Sequence, residues 1–172
     1  MSKIFLTYDQ QIEKLKNDKN LQIDDTAYAK EVLRQTSYYS LIGGYKDIFK
    51  NPTTKKYKDG TKFDDIVELY YFDEALRQLF LKYLIKVENE IKSQMSYVFT
   101  EKHGENRAEY LNKKNYNYTG RKNQLVSILT VMVKFRNVCA HGERLFTYRT
   151  TDSIPDLPLH KKWILRKKGF NM

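Results

Sequence analysis

Apolar positions along this chain recur every three or four residues, and its seven glycines and three prolines seldom interrupt them. That spacing predicts helices rather than strands. Thr7 followed by Gln10 forms a capping box for a first helix running through Ile12, Leu15 and Lys16. Asp24 or Asp25 caps a second, carrying Ala29, Val32 and Leu33. The aromatic stretch SYYSLIGGYKDIF (37–49) is broken by Gly43 and Gly44, which are expected to end a helix or let two backbones approach closely. KNPTTKKYKDGTK (50–62) reads as a loop, with a small hairpin expected around Asp59-Gly60.

The longest element follows. No glycine or proline falls between Asp64 and Lys102, and Gly104 closes the run. Leu69, Phe72, Leu76, Leu79, Tyr83, Val87, Ile91, Met95 and Val98 make one stripe, expected to be the main packing surface. About 38 residues at a rise of about 1.5 Å would span about 57 Å, so a bend or split is expected. Asp73, Arg77, Glu88 and Glu90 on its flank read as solvated charges for the most part. Residues 105–122 are polar and rich in tyrosine, an exposed connector or a short helix plus loop. Tyrosines among lysines there can stack bases, or the segment is only a solvated linker. A last helix begins near 120–123, buries Leu125, Ile128, Leu129, Met132 and Phe135, and stops at Gly142. The elements add up to an all-α fold in one domain, residues 1–172: N-terminal helices and a loop at 1–62, a core with the long and last helices at 63–150, and a basic tail at 151–172.

Charge adds a partner class. Thirty-one Lys and Arg against twenty-one Asp and Glu give a net +10, dense at 50–62, 113–122 and 161–168. Such an excess favours a polyanion, through counterion release, over a merely lysine-rich surface. A single cysteine, Cys139, rules out an internal disulfide and suits a reducing compartment. Cys139 reads as a small buried hydrophobe rather than a nucleophile. The N-terminus lacks an apolar signal core and no apolar run spans a bilayer, so a cytoplasmic protein without membrane contact is expected.

The chemistry gathers in FRNVCAHGERLF (135–146). Arg136 offers a planar fork matched to phosphate, and His141 is a side-chain type that exchanges protons near neutrality. Five helical steps leave two side chains about 140° apart, so the pair converges only if the helix ends before His141 or if two copies share a cleft. Together the two fit attack of a ribose 2′-hydroxyl on the adjacent phosphorus, with Asn137 orienting them. The bland alternative makes His141 a cap on the last carbonyls. His103, His141 and His160 stand apart from one another, so no metal-ligand spacing is present and no cofactor is expected.

RNVCAHGERLF resembles the Arg-x4–6-His signature of the HEPN superfamily of all-helical ribonucleases. TSYYSLIGGYKDIF, the 59–95 segment with Phe72, Asp73, Leu76, Arg77 and Glu88, and EKHG (101–104) resemble Abi-like proteins of bacterial abortive infection (the AbiD/AbiF group). The likeness runs from about residue 7 to 160. It implies a HEPN-like helical bundle that dimerises around the Arg-x4-His helix, an endoribonuclease of phage defence needing no metal, and RNA as partner, with a small regulatory non-coding RNA for some members. It makes Arg136, His141 and Asn137 the catalytic set. Lys134, Arg144 and Arg149 are candidate RNA contacts or simply solvated charges; Asp73 and Arg77 brace the catalytic helix or form a structural ion pair. The alternative is a non-catalytic RNA-binding or toxin-regulating module; a helical protein-interaction scaffold is a third. Two departures stand out. The stretch between His103 and Arg136 lacks a Pro-x-Trp segment, and the chain ends sooner after IPDLPLHKK than such proteins usually do, as a truncated or compact member would.

Overall fold

The computed structural model describes residues 5–116 and 122–154, all of them helix, turn or loop apart from two isolated β-bridges. In chain order the helices are α1 (Tyr8–Glu13), α2 (Thr26–Thr36), α3 (Gly44–Phe49), α4 (Phe63–His103), α5 (Arg107–Leu111) and α6 (Lys122–Ala140). The expected all-α class is what the chain adopts. Two compact units are present, Met1–Leu76 and Arg77–Met172, with the division inside α4.

In the first unit the local signals act as predicted. Thr7 and Gln10 complete the capping box of α1, with Thr7 N–H donating to Gln10 Oε1 at 2.9 Å and Gln10 N–H to Thr7 Oγ1 at 3.3 Å. Asp25 caps α2 by accepting from Tyr28 N–H at 2.9 Å. α1 continues into a π-helical turn (Lys14–Asp18) and packs on α2. Their apolar faces bury Ile12, Leu15, Ala29, Val32 and Leu33, and the unit also buries Leu41, Ile42, Phe63, Ile66 and Val67. Each fully buried aliphatic side chain contributes about 1.5–3 kcal/mol, which outweighs an exposed ion pair such as Lys30–Asp9 at 2.7 Å, worth at most about 1 kcal/mol.

Two details differ from expectation. Gly43 and Gly44 lie in right-handed helical backbone where a second π-turn passes into α3, and an added Cβ would meet nothing closer than the Tyr39 ring at 3.8 Å. They neither end a helix nor mark a close approach. The loop's hairpin-like bridge joins Lys50 to Tyr57, and Asp59-Gly60 is only the turn leading into α4, with Gly60 at φ +80°.

α4 runs unbroken over 41 residues, closed by Gly104 at φ +73°. The stripe expected to pack mostly does not: Phe72 is 58 % exposed, Leu79 52 %, Tyr83 55 % and Met95 50 %, while Leu69, Leu76 and Ile91 are half-buried. Burial in the first unit falls instead on Ile66, Val67 and Asp73, the last fully buried with the Tyr45 hydroxyl donating to it at 2.7 Å. In the second unit it falls on Arg77 and Phe99. Asp73 and Arg77 are therefore interior residues, not solvated flank charges; Glu88 is half-buried and Glu90 exposed. α4 carries apolar residues on most of its circumference, so spacing alone does not say which stripe faces inward.

In the second unit Phe99 lies against the rings of His103 and Tyr110 at 4.8 and 4.4 Å, and the Tyr110 and Thr100 hydroxyls meet at 2.5 Å. The 105–122 stretch forms α5 and a 3₁₀ turn (Lys113–Tyr116); the expected linker at 117–121 lies outside the described residues. α6 buries Val131, Val138 and Cys139, with Leu145 beyond its end. Leu125, expected inside, is 40 % exposed, while Ile128, Leu129, Met132 and Phe135 are half-buried. Cys139 is a buried free thiol, in keeping with its reading as a core residue. Among the described residues no helix is long and apolar enough to cross a membrane.

Candidate active site on the last helix

α6 ends in a cap built from its own sequence. His141 N–H still donates to Asn137 O at 2.9 Å, one helical step beyond Ala140. Gly142 then turns left-handed at φ +68°; its N–H reaches Cys139 O at 3.4 Å and Glu143 N–H reaches Val138 O at 3.0 Å. This is the double hydrogen bond of a Schellman cap, which only a residue without Cβ accommodates cheaply. His141 is thus the last residue on the spiral, and the helix does not end early enough to swing it back. On regular helical steps it stays about 140° around the axis from Arg136.

That arc has a definite content. At about 100° per residue, Leu129, Ala140, Val133, Val126, Asn137 and Thr130 fall in turn between Arg136 and His141. All but the half-buried Leu129 are exposed, Val126 at 52 % and Val133 at 42 %. The buried residues Val131, Val138 and Cys139 occupy the far side. A shallow apolar groove lined by Val126, Leu129, Thr130, Val133 and Lys134 runs along the open face.

Arg136 is held at its inner end. Its Nε is covered and has no hydrogen-bond partner, and the nearest anionic oxygen is Glu88 Oε2 at 3.7 Å, a charge contact too long for a hydrogen bond. The side chain as a whole remains 38 % exposed. Glu88 also accepts from Lys92 Nζ at 2.7 Å. That hydrogen bond first, then the charges of Lys92 and Arg136, hold the Glu88 carboxyl below its usual range.

The other expected residues are scattered around this face. His141 and Asn137 are exposed. Lys134 is already paired with Asp152, which raises the ammonium and lowers the carboxyl. Arg144 is half-buried with its guanidinium 5.9 Å from the Phe146 ring centre, and Arg149 is exposed. Asp73 and Arg77 are each buried in their own unit. His160 and the basic tail from 155 lie outside the described residues. Sequence reasoning missed the engagement of Arg136 by Glu88 and of Lys134 by Asp152. The four-residue step from Glu88 to Lys92 was legible as a helix pair, but nothing local links position 88 to position 136.

A model of the Abi-like protein family matches residues 31–125, more than half of the chain. The protein belongs to that family. No curated protein and no solved structure matches it. The span that makes this chain Abi-like runs from the middle of α2 to the start of α6, including Asp73, Arg77 and Glu88; Arg136 follows it on the same α6 and His141 at that helix's end. Charge divides unevenly in this Abi-like chain. Residues 1–76 hold twelve Lys and Arg against thirteen Asp and Glu, a net −1, so residues 77–172, with nineteen against eight, carry +11.

Proposed function

We propose that this Abi-like protein is an endoribonuclease of anti-phage abortive infection, a HEPN-type enzyme that needs no metal and works as a dimer. The observation that carries the reading is the open, largely apolar arc of α6 bounded by Arg136 and His141. One copy cannot close that arc on a single phosphodiester. A second copy laid on the same face would bring its own Arg136 and His141 to the rims of the same groove, and RNA would enter between them. The +11 of the unit that bears α6 favours a polyanion there.

In the proposed reaction one His141 takes the proton of a ribose 2′-hydroxyl as its oxygen bonds to phosphorus. The His141 of the second copy gives a proton to the departing 5′-oxygen as the P–O5′ bond breaks. The products end in a 2′,3′-cyclic phosphate and a 5′-hydroxyl. Arg136 neutralises charge on the pentacovalent phosphorus. Glu88, set against the Nε side of the guanidinium, acts as a positioning residue that leaves the terminal nitrogens for phosphate oxygens. Asn137, inside the arc, can hydrogen-bond the scissile nucleotide or the facing His141.

The test is incubation of purified protein with labelled RNA and with labelled DNA in EDTA. Cyclic-phosphate RNA fragments from wild type, none from His141→Ala or Arg136→Ala, and intact DNA would support the reading. RNA that is bound but uncut would replace it with a non-catalytic RNA-binding or toxin-regulating module.

A further inference from the structure

The first unit is nearly neutral, yet it gathers lysines in one place. Three come from two segments, Lys46 and Lys50 lying four residues apart on α3 and its C-cap. Lys19 follows the π-turn after α1, Lys46 lies on α3, and Lys50 follows α3. The loop draws them together: Lys50 bridges to Tyr57, and Tyr57 N–H donates to Lys19 O at 2.8 Å. The loop is itself built, since Asn51 N–H donates to Lys56 O at 2.9 Å and Asn51 Oδ1 accepts from Thr53 N–H at 2.9 Å. Asn20 Nδ2 donates to Asp59 Oδ1 at 3.0 Å and ties the loop's far end to the Lys19 segment.

The ammonium of Lys50 stands 5.0 Å from the centre of the Tyr57 ring, which fixes its direction. Lys19, Lys46 and Lys50 are each half-buried, so their stems are partly packed. Burial first, then the charges of Lys46 and Lys19, push the Lys50 ammonium below its usual value, and Asp47 offsets them only in part. Among the described residues none of the three lysines has a carboxylate within ion-pair distance. Folding like charges together on an ordered frame is unfavourable in the free protein and becomes favourable when an anion covers them.

We propose that Lys19, Lys46 and Lys50 form a phosphate-binding patch on the first unit that holds the backbone of RNA, in addition to the contacts made by the cutting residues. The choice of RNA rests on the nuclease reading above; the patch itself rests on the juxtaposition of the α3 end and the Lys19 turn through Tyr57. Contacts of this kind track phosphates without reading bases, so they would strengthen binding to any sequence.

The experiment measures fluorescence anisotropy of a labelled single-stranded RNA over a series of salt concentrations, in a His141→Ala background that leaves RNA intact. Lys19→Gln/Lys46→Gln/Lys50→Gln is compared with the charge-matched Lys14→Gln/Lys30→Gln/Lys62→Gln. Circular dichroism melts check that both fold. Affinity about tenfold weaker, with a log–log salt slope shallower by about 2, is expected for the first triple only, from three lost phosphate contacts at about 0.7 each. Equal losses in both triples, or none in the first, would overturn the patch. So would loss of binding to a polyglutamate probe with RNA binding unchanged, which would make the lysines a protein-docking site. Wild-type cutting with normal RNA binding by the first triple sinks the patch and leaves the nuclease reading. Lysine-dependent binding without cutting by wild type does the reverse.

Discussion

Tyr45 and Tyr57 are both buried, and their hydroxyls predict opposite outcomes. The Tyr45 hydroxyl donates to the fully buried Asp73 at 2.7 Å, so Tyr45→Phe removes a hydrogen bond to a buried carboxylate and should cost about 1–3 kcal/mol in urea unfolding. The Tyr57 hydroxyl is covered and has no hydrogen-bond partner, so Tyr57→Phe should leave stability unchanged or raise it by up to about 1 kcal/mol. Glu88→Gln keeps the size of the side chain but removes the charge beside Arg136. Cleavage should fall about tenfold through kcat, with RNA affinity held or improved because one negative charge is gone; a Glu88 that only stabilises the fold would move the unfolding midpoint and leave kcat alone. Asp152 predicts a pH effect. Its carboxyl is held low by Lys134, so the pair's stabilisation is present above the ordinary carboxylate pKa and lost as pH falls through the lower folded value. The stability gap between wild type and Asp152→Asn should therefore close below about pH 4. At neutral pH the same variant frees Lys134 and should bind RNA more tightly.

Element by element, what could be read from the sequence was whatever depends on neighbours in the chain. Thr7 with Gln10, Asp25, Gly104 and Gly142 mark helix ends through hydrogen bonds to residues a few positions away, and those ends stand where the sequence puts them. The inward stripe of α4 was not legible, because Phe72, Leu79 and Tyr83 are as apolar as the residues that do pack, and the buried face includes Asp73 and Arg77. On α6 likewise, Leu125 keeps the right spacing but is 40 % exposed. Arg136, Asn137 and His141 could be picked out by type and spacing, whereas Glu88 and Asp152 acquire their roles only through the tertiary fold. The cap of α6 carries its own prediction. Gly142→Ala introduces a Cβ at φ +68° and should cost about 1 kcal/mol. The loss should appear as faster amide exchange over 138–141, with cleavage falling more than RNA binding because His141 is the residue the cap fixes.

At the scale of the whole molecule, the exposed side of α6 is the feature that asks for company. Val133→Glu, at the middle of the arc, puts a charge where an apolar face would be covered. If two copies meet there as proposed, sedimentation should find wild type dimeric and this variant monomeric, with its helical circular dichroism retained because Val133 is already 42 % exposed in a single copy. RNA cutting should vanish with the dimer. A wild type that stays monomeric at every concentration would remove the shared cleft altogether. Such a face also sets a dose. If neither copy can act alone, the rate in dilute solution grows with the square of the amount of protein, and a cell can carry scarce, solitary chains harmlessly until their number rises.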